Sequence, residues 1–198
     1  MVALPQRRIP GKIDPLAASG GLGVSDTFNR PDSASSMGST DGPFSGDPAT
    51  WVAASGTWGI TSNRAYCTSG GPFRSAYVET GLSDVEASVT IAAFGGVNQG
   101  LAVRVQDSAN YLWILAVSGS LIYCRYEGGG HTNVASSSGF NAGDVIKVRA
   151  VGSNINVYRN DILVITQTDT TFQSATKHGL VCNNSTGVRF DNFSVLGV

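Results

Sequence analysis

An all-β fold, a two-sheet antiparallel jelly-roll sandwich preceded by an extended N-terminal arm, is what the sequence predicts, on three observations. From Asp26 onward apolar and polar residues alternate with period two in segment after segment, as strands with one covered face do. No window of ten or more residues carries a convincing 3.6-residue apolar period, so helix is a minor component at most. Gly fills 25 positions and charged residues make up only 14% of the 198, a composition suited to short strands joined by many turns. A chain of this length makes one large sandwich and is short for two independent cores. It divides into an arm, residues 1–25, and a sandwich domain, residues 26–198.

In the arm, Pro5, Pro10 and Pro15 forbid a continuous helix and favour extended chain, with Val2, Leu4, Ile9, Ile13 and Leu16 spaced along it as anchors. Arg7, Arg8 and Lys12 against Asp14 give it +2, which leaves −3 for the rest of a chain of net charge −1. Two readings stand: a disordered tail, or an arm that orders against a neighbouring subunit through Arg7, Arg8, Ile9, Lys12 and Ile13. The prolines also interrupt every apolar run before signal-peptide length, and nothing approaches the roughly 20 apolar residues that span a bilayer. The expectation is synthesis in the cytosol without secretion or membrane insertion.

In the domain, Val85, Ala87, Val89 and Ile91 alternate with Glu86, Ser88 and Thr90 along a half-buried strand. Leu101, Val103 and Val105 alternate with Ala102, Arg104 and Gln106, and Ile146, Val148 and Ala150 with Lys147 and Arg149; both read as strands with one wet face. Tyr111 to Val117 is apolar on both parities, which predicts a central strand covered on both faces, and Ser118-Gly119-Ser120 turns it into a hairpin with Leu121 to Tyr126. A second hairpin is signalled by Ile155 to Arg159, the pair Asn160-Asp161, and Ile162 to Ile165. Glu127 to Gly130 and Ser136 to Gly139 read as connectors, and about a dozen short strands at this spacing make a sandwich. Cys67, Cys124 and Cys182 are widely spaced beside apolar and aromatic residues, so they read as small buried strand residues rather than a disulfide or zinc framework. The net charge gives no general attraction for nucleic acid or an anionic membrane.

The opening Ser25-Asp-Thr-Phe-Asn-Arg-Pro-Asp32, then Trp51, Gly56-Thr-Trp-Gly-Ile60 and Asn63-Arg-Ala-Tyr66, resembles concanavalin A-like lectin/glucanase domains of the laminin-G type. Gly100 to Arg104 with Tyr111 is similar to that family's central strands, Asn154 to Leu163 to its late hairpin, and Gly179 to Val181 with Val188 to Val195 to its closing strands, so the resemblance covers roughly residues 25–196. Within the family, the opening Asp26 to Asp32 joined to Gly56 to Ile60 resembles modules of minor tail and other virion proteins of phages that infect actinobacteria. That resemblance implies a non-enzymatic virion protein, a minor tail or capsid-surface decoration subunit made in the host cytoplasm. Its partners would be other virion proteins, copies of itself and a host-surface glycan. A free-standing lectin and a glycoside hydrolase are the alternatives, because the fold hosts many roles.

The resemblance also implies a metal question. Asp191 shares strand parity with Phe193 and Val195, so its carboxylate is expected inward, where it needs backbone N–H donors or a cation. Relatives often hold Ca²⁺ between their first and last strands, which would pair Asp191 with Asp26 as oxygen ligands; no other cofactor is expected. For catalysis, Asp84 and Glu86 share a face, with Glu79 further back, but residue 88 is Ser, so the glucanases' run of alternating carboxylates is missing and a solvated strand edge is the simpler reading. His131 and His178 are isolated and read as loop positions. For sugar, which offers an apolar C–H face and a rim of hydroxyls, the candidates are Arg104, Gln106 and Arg125 with Trp113 and Tyr123; core filling is the competing account of the aromatics.

Overall fold

The computed structural model describes residues 22–43, 48–69, 71–95, 98–183 and 186–198. The arm residues Arg7, Arg8, Ile9, Lys12 and Ile13 lie outside the described residues. The chain opens with β1 (Gly23–Asp26), β2 (Gly42–Pro43), β3 (Val52–Ala53), β4 (Trp58–Thr61), β5 (Arg64–Cys67) and β6 (Arg74–Glu79). The longer strands follow: β7 (Val85–Ala93), β8 (Asn98–Asp107), β9 (Asn110–Val117), β10 (Ser120–Glu127) and β11 (Gly130–Ser138). The last five are β12 (Val145–Val151), β13 (Asn154–Arg159), β14 (Ile162–Thr168), β15 (Lys177–Asn183) and β16 (Arg189–Gly197). Among the described residues there is no helix, and the strands form two antiparallel sheets stacked as a sandwich. One runs β14-β13-β12-β7-β16-β1-β2, with β5 joined to β16 and β4 to β5; the other, seven-stranded, runs β11-β10-β9-β8-β15-β6-β3.

The period-two pattern lands where alternation puts it. Val85, Ala87, Val89 and Ile91 of β7, with Ile146, Val148 and Ala150 of β12, face the interior and are fully buried. The β13–β14 hairpin turns at Asn160 and Asp161, both in the left-handed region at φ +48° and +66°, as a two-residue turn matching the strand twist requires. Trp58 packs on Phe190, and Trp51 on Phe28 and Phe193, so two of the three tryptophans fill the space between the sheets. All three cysteines are buried and unpaired as disulfides, with Cys67 and Cys182 meeting between the sheets.

Three expectations are corrected. The face of β8 that carries Ala102 is not wet: Leu101 to Val105 are buried on both sides, because a second apolar layer covers the outer face of the seven-stranded sheet. Ser136 to Ser138 do not connect strands but continue β11, where backbone pairing to Leu121, Ile122 and Ser120 holds an exposed edge without apolar side chains. In β16 the register slips between Asp191 and Ser194, with Asn192 at φ +50°, so an extra residue separates Asp191 from Phe193. Phe190, Phe193 and Val195 remain inward, and Asp191 turns outward.

The sheet ends differ. β14 and β11, seven and nine residues long, lie against each other along one side and contain no Lys, Arg, Asp or Glu. The opposite ends finish in β2 and β3, two residues each, the first closing on Pro43.

Candidate functional site

The five residues expected to hold sugar do not form one surface. Arg104 sits on the bulge of β8 between Val103 and Asp107 at φ +53°, and its guanidinium turns inward at the end of the sandwich with no exposed surface. There Nε donates to the Ser83 carbonyl at 3.2 Å and Nη2 to Asp84 Oδ1 at 3.2 Å, while its backbone N–H donates to His178 Nδ1 at 3.3 Å. Tyr123 also faces inward and donates its hydroxyl to Asp169 Oδ2 at 2.8 Å; Arg125 donates to the same oxygen from Nε at 3.2 Å and Nη2 at 2.8 Å. Burial works against the charge on Asp169, but Thr171, Arg125 and Tyr123 outweigh it and bring its carboxyl down to about 2. Trp113 faces outward on β9 but is covered, with the Phe73 ring edge-on at 5.7 Å. Gln106 alone of the five is exposed.

Gln106 opens onto a cleft of about 530 Å³ lined by Glu79, Val105, Gln106, Asp107, Ser174, Ala175, Thr176 and Lys177. Three strands of the seven-stranded sheet converge there, since Lys177 of β15 lies between Glu79 of β6 and Val105 of β8. Two pairs further along, on the same face, Tyr77 lies opposite Gly179, and the Lys177 ammonium stands 5.0 Å from the Tyr77 ring centre. Lys177 Nζ also donates to the Gln106 carbonyl at 3.4 Å, which ties the two sides of the cleft. Burial opposes the charge on Glu79, yet the Thr176 hydroxyl, the N–H groups of Gly81 and Thr80, and the Lys177 ammonium together hold its carboxyl below the usual range. Asp107 is lowered first by the backbone N–H of Ala109 and then by the Asn110 amide. Both cleft carboxylates are therefore anionic at neutral pH. The result is a shallow site with carboxylate, amide, hydroxyl and ammonium groups around an aromatic neighbour, an inventory suited to a polyhydroxylated ring. Sequence reasoning missed Asp107, next to Gln106, and also Ser174, Thr176 and Lys177 of a second, distant segment that shares no motif with the first.

Asp26 and Asp191 do not share a site. Asp26 is fully buried and its oxygens accept from the Phe28 N–H at 2.7 Å, the Trp51 indole N–H at 2.7 Å and the Arg30 guanidinium. Burial raises its pKa against those donors. Asp191, displaced outward by the bulge, pairs with Arg64 Nε at 3.6 Å. Among the described residues no group of three or more His, Cys, Asp or Glu converges as metal ligands. Asp84 is engaged by Arg104 and the Gly152 N–H, and Glu86 by Lys147 at 3.3 Å, while Glu79 lies on the other sheet, so these carboxylates flank no common cleft. His178 is not in a loop: it is wholly buried in β15, and its Nε2 meets the Leu82 carbonyl at 2.9 Å. His131 is an exposed residue of β11, its ring 5.5 Å from that of Phe73.

The architecture can now be set beside known proteins. The carbohydrate-binding module CBM66 from Bacillus subtilis superposes with a TM-score of 0.63 at 20% identity, over 74% of this chain and 95% of that one. The fold is a two-sheet jelly roll. Domain 4 of AbnA, an extracellular arabinanase from Geobacillus stearothermophilus solved with arabinotriose, gives a TM-score of 0.58 at 10% identity, over 89% of this chain and 92% of that one. LamAcat from Zobellia galactanivorans gives 0.54 at 11% identity, over 91% and 99%. No protein-family model matches the chain, and no curated protein sequence is significantly similar to it. At these identities the likeness is one of fold, and function is carried by the site.

Proposed function

We propose that this chain is a non-catalytic glycan-binding module whose ligand docks in the cleft between Glu79, Gln106, Asp107, Thr176 and Lys177. The observation that carries the reading is the convergence of these hydrogen-bonding groups beside Tyr77 on the outer face of the seven-stranded sheet. Solved structures sharing this architecture include a carbohydrate-binding module and a domain holding arabinotriose, which supports the same reading. Glycoside hydrolysis needs a carboxylic acid that stays protonated to donate to the leaving oxygen. The carboxyls of Glu79 and Asp107 are both held below their usual range, which suits acceptors for sugar hydroxyls and supports the non-catalytic reading. Glycan-array binding that Gln106→Ala or Lys177→Ala abolishes, with no reducing sugar released, is the expected result; binding that survives both substitutions places the ligand elsewhere.

The setting we propose for the module is the surface of a bacteriophage particle, as a minor tail or decoration subunit that touches a host glycan. This rests on the resemblance of Asp26 to Asp32 and Gly56 to Ile60 to virion modules. Mass spectrometry of purified particles tests it: the polypeptide is expected among the virion proteins, and its absence from them leaves a free-standing lectin.

A further inference from the structure

Next to the cleft, the outer face of the same sheet carries an apolar layer that the cleft does not use. Tyr111 and Tyr126 lie with ring centres 4.7 Å apart, and Trp113 meets Tyr111 edge-on at 6.4 Å. The neighbouring positions are small: Ala102 faces Trp113 across the strands, and Gly100 has no side chain where a Cβ would lie 1.8 Å from the Ile114 carbonyl oxygen and 3.0 Å from the Trp113 Nε1. Phe73, from the segment leading into β6, lies over these rings at 5.7 Å from Trp113 and 4.9 Å from Tyr126.

Two observations separate this trough from ordinary packing. Tyr111 Oη and Trp113 Nε1 are both buried with no hydrogen-bond partner, although buried polar groups nearly always have one. Phe73, a bulky residue, holds φ at +48°, in the left-handed region where such residues are rare and where strain collects at ligand-binding positions. The trough also continues the cleft. Val105 belongs to both, Tyr111 lies opposite the bulged stretch of β8 that begins the cleft, and the cross-strand row passes on through Tyr126 to His131.

We propose that the trough is a second, closed subsite of the glycan site and that Phe73 is its displaceable plug. A glycosyl ring replaces the Phe73 ring, lays its C–H face on Trp113 and Tyr126, and accepts hydrogen bonds from the Tyr111 hydroxyl and the Trp113 N–H. No residue of the aromatic cluster is charged, which suits a neutral sugar. From Lys177 on β15 to Tyr126 on β10 is three strand spacings, about 14 Å, so the ligand is an oligosaccharide rather than a single ring. The inference rests on the glycan-binding reading of the cleft.

The test uses the full chain on an array of neutral hexose and pentose glycans, followed by calorimetry with a mono- to tetrasaccharide series of the best binder. Affinity is expected to rise with length. Tyr111→Phe is expected to raise Tm, since it removes a buried hydroxyl with no partner, while weakening the longer ligands about tenfold and leaving the monosaccharide unchanged. Phe73→Ala is expected to strengthen the longer ligands; if that variant folds poorly, the opposite signs of the two Tyr111→Phe effects still decide. Binding that Gln106→Ala abolishes but that neither length nor Tyr111→Phe alters overturns the trough alone. No binding by any neutral glycan overturns the trough, and no binding on the wider glycan array that tests the cleft overturns both.

Discussion

His178 makes the stability of this sandwich depend on pH in a way that one substitution can isolate. The ring is wholly buried, its Nδ1 accepts from the Arg104 N–H and its Nε2 donates to the Leu82 carbonyl, so the neutral tautomer fills both positions. Protonating Nδ1 would break the first bond and add a second cation beside Arg104. Burial above all, and Arg104 with it, holds the pKa down to about 4, against the partial opposition of the Leu82 carbonyl and Glu79. Between the ordinary histidine value of about 6.5 and about 4, the unfolded chain binds a proton that the folded chain refuses, so stability falls as pH falls. The slope is at most about 1.4 kcal/mol per pH unit and the whole effect roughly 3 kcal/mol. Glu79, Asp107 and Asp169, with carboxyls below their usual range, begin to lose their contributions as pH falls through their ordinary values of 4.5 and 3.8, at the bottom of this interval, and do so in any variant that keeps them. Urea unfolding followed by tryptophan fluorescence at pH 7 and pH 4.5, on the wild type and His178→Gln, reads the difference. The wild type is expected to lose about 2 to 3 kcal/mol more than the variant over that interval. Equal losses would refute the assignment of the buried neutral ring.

Other consequences are as direct. Asp26→Ala leaves the Arg30 guanidinium and the Trp51 indole without their buried acceptor, which costs about 3 to 5 kcal/mol in denaturant unfolding. Because donors of the protein already occupy its oxygens, calcium and chelator are expected to leave Tm unchanged; a rise of several degrees with calcium would assign a cation to this position. At the β13–β14 turn, Asn160→Ala loses its bonds to the Val145 N–H and Asp144 and strains φ, at a cost of about 2 kcal/mol in the same assay. Asp161→Gly relieves its positive φ and is expected to leave Tm unchanged or raised. Tyr123→Phe removes one of the groups that hold Asp169 ionised and is expected to cost about 1 kcal/mol and to raise the Asp169 pKa, read by NMR titration.

The strands were legible wherever side-chain parity ran uninterrupted. Val85 to Ile91, Ile146 to Ala150 and the Asn160-Asp161 turn could be placed from their own residues, because period two and turn chemistry are local properties. Parity failed at two bulges. The extra residue near Asn192 turned Asp191 away from the interior, and the one near Arg104 sent a guanidinium into the sandwich that alternation placed on the surface. A bulge leaves no mark in a hydrophobic pattern, since it adds a residue without changing which residues are apolar. The cleft was illegible for a different reason. Gln106 could be suspected, but Glu79, the Gln106–Asp107 pair and the Thr176–Lys177 pair belong to three segments far apart in the chain, and only the pairing of β6, β15 and β8 joins them. Phe73 covering Trp113 is likewise a long-range contact with no local signature.

The uncharged flank formed by β14 and β11 limits how this body could self-associate. Ile162 and Leu163 are 61% and 50% exposed there, with no lysine or proline to discourage a visiting strand. Two copies pairing like edge to like edge at that margin would be related by a twofold axis. Among the described residues the strands at the far ends, β2 and β3, are two residues each and offer a visiting strand few backbone groups to pair with.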